Sequence, residues 1–438
     1  MRQFFKHIVV YLLTLEARCM LRKHKPFVIA VTGSVGKTTA KDAIFHVLKD
    51  TASVRKSEKS FNSEIGIPLT ILGLPNAWHS LFGWAANLFV GFWRLIAMRD
   101  YPKTLVLEVG ADHPGDITRL MRWLHPDVAV ITRLPETPVH VEFFASPEEV
   151  RKEKAELLRG LKKDGIFIGC ADDTSVVELT AETKARTLLF GLHSEAAVRA
   201  EKVLTVYDGP AEGKVPTGTS FSVFYSGETK PVFLRGVLGT PSVMAALAAL
   251  AVGIARGESL ERMAKTLETF ATPPGRMRII PGKNGATIID DSYNSSPIAA
   301  EEALKTLRTV EGKRRVALMG DMLELGAFAE EEHKKVGAAA AFVDVLVTVG
   351  KRARWIAEGA RKAGFAEGKV KSFDDSALAG EWVAKEMHRG DSILVKGSQG
   401  PGENLIRTER AVKILMAHPE DAPKLLVRQE SEWLAQYQ

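Results

Sequence analysis

The residues best suited to chemistry lie at Gly33-Ser34-Val35-Gly36-Lys37-Thr38-Thr39. A short apolar, β-branched run from Phe27 to Val31 precedes them, and Lys41 to Leu48 reads as a helix. Strand, glycine turn and helix in succession form a phosphate-binding context, where backbone N–H groups and a helix N-terminus converge on an anion. Lys37 is placed to reach terminal phosphates, and the Thr38 hydroxyl to hold Mg²⁺. The strict pattern G-x-x-x-x-G-K-[ST] is not met, because Val31 occupies its first glycine position.

Further polar groups cluster at strand ends. Glu108 closes an apolar run, the position where doubly wound sheets place ligand-binding groups. A carboxylate there suits Mg²⁺ or its waters, and equally a helix cap or ion pair. Ser60-Phe61-Asn62-Ser63-Glu64-Ile65-Gly66 is a polar loop before an apolar helix. Pro138-Val139-His140-Val141-Glu142 follows another strand end; a lone His is more often structural than a ligand. Lys154, within Glu153-Lys154-Ala155-Glu156, reads by itself as part of a solvated charged helix face. Asp290-Asp291-Ser292-Tyr293-Asn294 and Lys396-Gly397-Ser398 end two more strands, and Arg276 follows Pro273-Pro274-Gly275. An Arg at a domain junction can neutralise charge developing on a transferring phosphoryl group.

These groups need an α/β framework to position them. Strands are expected at Thr104–Gly110, Asp127–Thr132 and Gly165–Cys170, with a period-two run at Thr217–Tyr225 inside a small antiparallel patch over 197–235. Val243–Arg256 is Ala- and Leu-rich and helical. Later strands are expected at Thr287–Asp290, Arg315–Met319, Val345–Val349 and Ser392–Val395, with helices such as Ala299–Leu307 and Ala353–Ala363 between them. The expected organisation is an N-terminal amphipathic helix within 1–25, a central ATP-binding domain with a mostly parallel sheet over 26–272, and a Rossmann-like, doubly wound domain over 273–438.

The chain has 438 residues, 45% of them hydrophobic, enough for a large core. The net charge of +6 is spread along the chain, which disfavours nucleic-acid binding. Two cysteines, Cys19 and Cys170, exclude a disulfide framework and fit a reducing, cytoplasmic compartment. The stretch from Ile8 to Leu15 is short and followed by charges without a small-residue cleavage site, so it does not read as a signal peptide. The helix over residues 3–23 either packs on the domain or lies on a membrane surface. Leu81 to Trp93, rich in Phe and Trp, is too short to span a bilayer; it reads equally as a buried helix or subunit contact and as a membrane-interface helix.

In this order the motifs resemble the Mur ligase family of ATP-dependent amino-acid and peptide ligases. The resemblance runs from about Phe27 to Arg410. It rests on Thr32–Thr39, Ser60–Thr70, Leu107–Asp116, Val139–Glu142, Lys154–Glu156, Gly275–Met277, Asp290–Asn294, Gly320-Asp-Met-Leu-Glu-Leu-Gly326 and Lys396–Ser398. The Asp-Asp-Ser-Tyr-Asn and Gly-Asp-Met-Leu-Glu-Leu-Gly segments point to the branch that adds D-alanyl-D-alanine. The resemblance implies ATP and two Mg²⁺ ions, with Lys37 on the γ-phosphate, Thr38 and Glu108 on one metal and His140 on the second. It implies a carbamoylated Lys154, and nucleotide contacts from Arg276, Asp291 and Asn294. Phe61, Asn62, Ser63, Lys396 and Ser398 would face the substrates.

The implied reaction joins D-alanyl-D-alanine to a muramoyl-peptide precursor through an acyl phosphate, in peptidoglycan synthesis, by a monomer with possible peripheral membrane contact. The sequence also departs from the family. Only about 25 residues precede the first strand, so no separate UDP-binding domain is expected there. Pro241-Ser242-Val243-Met244-Ala245 stands where an Asn-rich nucleotide contact is common. Gln399 replaces a common Arg, and Pro401 to Asn404 reads as a small insertion. An alternative is a Mur-like ligase acting on another, lipid-linked carboxylate. A nucleotide-binding scaffold without activity fits poorly with Lys37, Glu108, His140 and Lys154 all present.

Overall fold

The computed structural model describes residues 2–58, 61–78, 80–210, 214–399 and 406–434. Ser60 of the polar loop and the Pro401–Asn404 segment lie outside them. Two sheets carry the chain. The first takes up α1 (Arg2–His24), β1 (Phe27–Thr32), α2 (Lys37–Leu48), β2 (Val54–Lys56), α3 (Gly66–Leu72), α4 (Leu81–Ala97), β3 (Thr104–Glu108), α5 (Asp116–Met121) and β4 (Val128–Ile131). It continues through α6 (Pro147–Arg159), β5 (Ile166–Cys170), α7 (Thr174–Glu182), β6 (Arg186–Gly191), β7 (Val198–Asp208), β8 (Val215–Tyr225), β9 (Glu228–Arg235), α8 (Thr240–Ala255) and α9 (Leu260–Leu267).

The strand order is β2-β3-β1-β4-β5-β6-β7-β8-β9, parallel up to β7 and antiparallel over β7-β8-β9. The central strands are apolar on both faces because helices cover both. β1 sits between β3 and β4, with Val31 beside Glu108. The order reverses there, which opens a crevice beyond the strand ends. The helix α8 is apolar on nearly every side and accordingly buried against α2 and the sheet.

The second sheet comprises β10 (Arg278–Pro281), β11 (Thr287–Asp291), β12 (Arg314–Gly320), β13 (Val345–Val349), β14 (Val370–Phe373) and β15 (Asp391–Lys396), in the order β10-β11-β15-β12-β13-β14. All pairs are parallel except β10 with β11. Helices α10 (Pro297–Thr309), α11 (Ala329–Ala339), α12 (Arg354–Lys362), α13 (Ser376–Glu386) and α14 (Glu409–Leu415) cover it. Two apolar clusters, one on each face of this sheet, form its core.

Three expectations need correction. The helix after the phosphate loop begins at Lys37 rather than Lys41, because Gly36 takes φ +86° and turns the chain straight into the helix. The segment around Lys154 is no solvated face: Glu153 and Lys154 are both buried. Finally, α4 is no buried helix. Only Asn87 and Gly91 are buried, while Phe82, Phe89, Phe92 and Trp93 face outward. α1 packs through Val9, Leu13, Ala17 and Met20 onto α3 and α4.

Candidate active site

The phosphate loop is held from beneath. A Cβ on Gly33 would stand 2.0 Å from Thr132 Oγ1, so only glycine fits. Thr132 Oγ1 donates to Val35 O at 2.7 Å, and Ser34 N donates to Arg133 O at 2.7 Å. Lys37 Nζ folds back to donate to Gly33 O at 2.8 Å. Burial pulls its pKa below the ordinary lysine value, and Glu108 opposes the shift.

Glu108 comes from the neighbouring strand end. Its Oε1 accepts from Thr38 Oγ1 at 3.2 Å and from Asn62 Nδ2 at 3.5 Å. Its buried Oε2 accepts no hydrogen bond and lies 3.6 Å from Lys41 Nζ. An orphaned carboxylate oxygen beside a threonine hydroxyl fits Mg²⁺, which takes one or two carboxylates and completes its shell with waters and phosphate oxygens. No group of three or more His, Cys, Asp or Glu among the described residues is arranged to hold a metal unaided.

His140, in a left-handed conformation with φ +69°, bridges the two halves. Its Nδ1 lies 2.9 Å from Glu324 Oε2 and its Nε2 3.7 Å from Asp112 Oδ1. The close approach of His140 holds the Glu324 carboxyl below the usual range. Lys154 is 1% exposed, and its Nζ donates to Ser34 Oγ at 3.3 Å. It pairs with no carboxylate among the described residues. Burial first, then the nearby Lys37, push its pKa well below the ordinary value. The adjacent Glu153 turns away and accepts from Ile117 N and Thr118 N at the start of α5.

Across the cleft, Arg276 stacks on Tyr293 with its guanidinium carbon 4.2 Å from the ring centre, and its Nε has no hydrogen-bond partner. Asp291 Oδ2 is 2.5 Å from Lys396 Nζ, which also donates to Asn294 O at 2.9 Å. Ser398 Oγ donates to Ser295 O at 3.2 Å and accepts from Leu323 N at 3.2 Å.

A cleft of about 900 Å³ gathers Ser34–Thr38, Asn62, Glu108, His140, Arg276, Asn294 and Ser398. Thr39, Asp291 and Lys396 line a smaller adjoining cavity instead, together with Pro241, Ser242 and Met244 from the segment that departs from the family pattern. Phe61 packs under Gly66, and Ser63 Oγ accepts from Gly66 N, so Asn62 alone of its trio lines the cleft. Lys154 lies behind the phosphate loop. Lys41, Asp112, Asp321 and Glu324 were not singled out from sequence. Asp112, Asp321 and Glu324 lie in loops just beyond strand ends, and Lys41 is one helical turn after Lys37; those placements were the available signals.

The Mur ligase middle domain model matches residues 31–82 and 92–253, and the Mur ligase, glutamate ligase domain model matches 275–399. The chain is 32% identical over 406 residues to the UDP-N-acetylmuramoyl-tripeptide–D-alanyl-D-alanine ligase of Bacillus subtilis, covering 92% of this chain and 79% of that protein. The Escherichia coli protein of the same name is 29% identical over 78% of this chain and 68% of its own length. Among solved structures, MurF from Acinetobacter baumannii superimposes with a TM-score of 0.74 at 26% identity, covering 92% and 80% of the two chains. MurF from Thermotoga maritima in complex with ADP gives 0.74 at 25% identity, covering 94% and 84%. Matched through both its sheets and over most of its length, this chain belongs to the Mur ligase family.

Proposed function

We infer that this chain is an ATP-dependent ligase that joins D-alanyl-D-alanine to a UDP-muramoyl-tripeptide in peptidoglycan synthesis. The observation that carries this reading is the cleft. Phosphate-loop groups and Glu108 from one half face Arg276, Asn294 and Ser398 from the other. A carboxylate of the muramoyl peptide attacks the γ-phosphorus of ATP and ADP leaves. The amine of D-alanyl-D-alanine then attacks the acyl phosphate, loses a proton, and phosphate departs as the amide forms. Lys37 and Arg276 neutralise charge that builds on the phosphoryl oxygens, a stabilisation worth most in a closed, dry site.

Thr38 and Glu108 would hold one Mg²⁺, and His140 would stand near a second. Such ions supply Lewis-acid stabilisation of phosphoryl oxygens. Asp291 and Asn294 lie on the nucleotide side, and Asn62 and Ser398 on the acceptor side. Lys396 braces Asp291. Lys154 is the proposed carbamate. Carbamoylation needs the neutral amine, which burial favours here. The nitrogen adds to CO₂, a proton leaves, and the buried neutral amine becomes an anion.

Residues 26–272 form the proposed central domain and 273–438 the C-terminal one, with Pro273–Gly275 between them. The proposed setting is the cytoplasm, and the proposed state is a monomer in peripheral contact with a membrane. A second reading, a lipid-linked carboxylate acceptor, is favoured by the outward aromatic face of α4. Phosphate release should require ATP, UDP-muramoyl-tripeptide and D-alanyl-D-alanine together. Turnover only with a lipid-linked acceptor would select the second reading, and release that ignores every acceptor would overturn both.

A further inference from the structure

The pair α1 and α4 carries a surface that the ligase reaction does not use. α4 turns Phe82, Phe89, Trp93 and Ile96 outward, and these residues are 91, 70, 59 and 60% exposed. Their spacing of seven, four and three residues puts all four on one helix face. The inward side mixes Asn87 and Arg94 with the partly buried Trp84, Leu88 and Leu95. Asn87 donates to Pro75 O at 2.8 Å, Arg94 to Leu72 O at 2.9 Å, and Lys23 of α1 to Leu95 O at 2.7 Å. The helix is therefore apolar on its outward face as well as its inward one, unlike a water-facing helix. The family model matches neither α1 nor residues 83–91, so this face is outside the shared domain framework.

Charge tells what covers it. Residues 1–25 and 77–99 hold eight cations against one acid, a net +7, in a chain whose total is +6. The remainder of the chain therefore sums to −1. Arg18, Arg22, Lys25 and Arg99 are exposed on these two segments. A second copy seated face to face would set these exposed cations against their own copies. An anionic surface complements both the charge and the apolar face. α4 has 17 residues, about 25 Å of helix, against roughly 30 Å of bilayer hydrocarbon. No helix among the described residues is long and apolar enough to cross a membrane.

We propose that the outward faces of α1 and α4 form a docking surface for an anionic phospholipid bilayer, with α4 lying in the headgroup layer and its Trp and Phe side chains inserted. Docking there brings the acceptor side of the cleft toward the lipid. α3, on which α1 packs, follows directly from the loop carrying Asn62, and Lys6 of α1 lies 3.0 Å from Glu64 of that loop. The inference deepens the peripheral contact proposed above and rests on no step of the ligase chemistry. Vesicle binding and turnover are separate measurements, so either can fail alone.

The test is co-sedimentation of the full chain with phosphatidylglycerol–phosphatidylcholine vesicles, against phosphatidylcholine alone. The expected result is binding to the anionic vesicles only, weakened by salt, with a blue shift of tryptophan emission. The charge variant R18E/R22E should bind about 25-fold more weakly or worse, at about fivefold for each cation removed. F89S/W93S should bind at least about tenfold more weakly with an unchanged melting temperature. If F89S/W93S lacks a cooperative melt, R18E/R22E decides alone. Absence of binding, or binding that neither variant weakens, overturns the proposal. So does a solution mass of two chains that F89S/W93S reduces to one, because the occupant is then a second copy.

Discussion

Lys154 and Lys396 invite a direct comparison. Each is a lysine only 1% exposed, each lies beside the cleft rather than in it, and each has its pKa lowered by burial. Their partners differ. Lys396 has Asp291 at 2.5 Å and a backbone carbonyl at 2.9 Å. Lys154 has only the Ser34 hydroxyl at 3.3 Å. In the C-terminal half Arg428 and Glu409 are paired in the same way, at 3.1 Å. In the N-terminal half, among the described residues, Lys154 has no carboxylate partner, and Glu108 Oε2 accepts no hydrogen bond, with Lys41 Nζ 3.6 Å away. A buried group left without its partner costs stability, so it is retained where a ligand or modification completes it. The unpaired amine of the first half is therefore where a group from outside would be received.

The largest expected effect lies in the receiving half. Lys37→Ala should reduce ATP turnover by about 10³-fold, because it removes a cation from the site of developing phosphoryl charge. Its melting temperature should stay near that of the parent, as among the described residues Lys37 donates only to its own loop. Near-normal steady-state turnover in a folded Lys37→Ala protein would break the comparison at its root.

The two buried lysines can then be set against each other by the same substitution. Lys396→Met strands Asp291 without a counter-charge and should cost about 3–5 kcal/mol. Thermal unfolding should fall by about 10 °C for a domain of this size. Lys154→Met strands no carboxylate and should unfold at or above the parental temperature while losing activity. Lys154→Ala should be nearly inactive and partly restored by acetate, which can stand in for a carbamate. Equal destabilisation by the two methionine variants would show that the pairing difference has no energetic meaning, and full activity of Lys154→Ala would remove the proposed modification.

Much of this arrangement was legible in the sequence where local pattern and burial agree. Phe27–Thr32, Thr104–Glu108 and Val345–Val349 are continuous apolar runs in the middle of parallel sheets, and they read as strands at once. The strands that escaped notice at the sheet edges are β2, β10 and β14. With sequences Val-Arg-Lys, Arg-Ile-Ile-Pro and Val-Lys-Ser-Phe, each has one side without a neighbour and needs no apolar run. The phosphate loop, Glu108 and the Asp290–Asn294 turn were visible because strand ends announce ligand groups. The burial of Lys154 was not, because it depends on Ser34, 120 residues away. Nor was the contact of His140 with Glu324, which requires both sheets to be in place. α4 misled because apolar residues surround it. Which side is buried was decided by Gly91 and Asn87, the small and polar residues.

The smallest expected effect concerns a third unpaired buried group, outside the cleft. Glu16 of α1 lies against α4, where a Cβ on Gly91 would stand 2.1 Å from its Oε2, and that oxygen accepts no hydrogen bond. Burial raises the Glu16 carboxyl from 4.5 to about 7. Between those values the folded chain holds a proton that the unfolded chain has released. Stability therefore falls as pH rises from 4.5 to about 7 and is constant beyond, as far as this group is concerned. Glu16→Gln keeps the shape and removes the titration. It should melt with the parent at pH 4.5 and above it at pH 8, by a few degrees at most because the side chain is partly hydrated. Melting curves of the two proteins at both values check this. If Glu16→Gln melts below the parent at pH 8, the carboxylate is a satisfied group, and the contrast between open and closed charge belongs to the cleft alone.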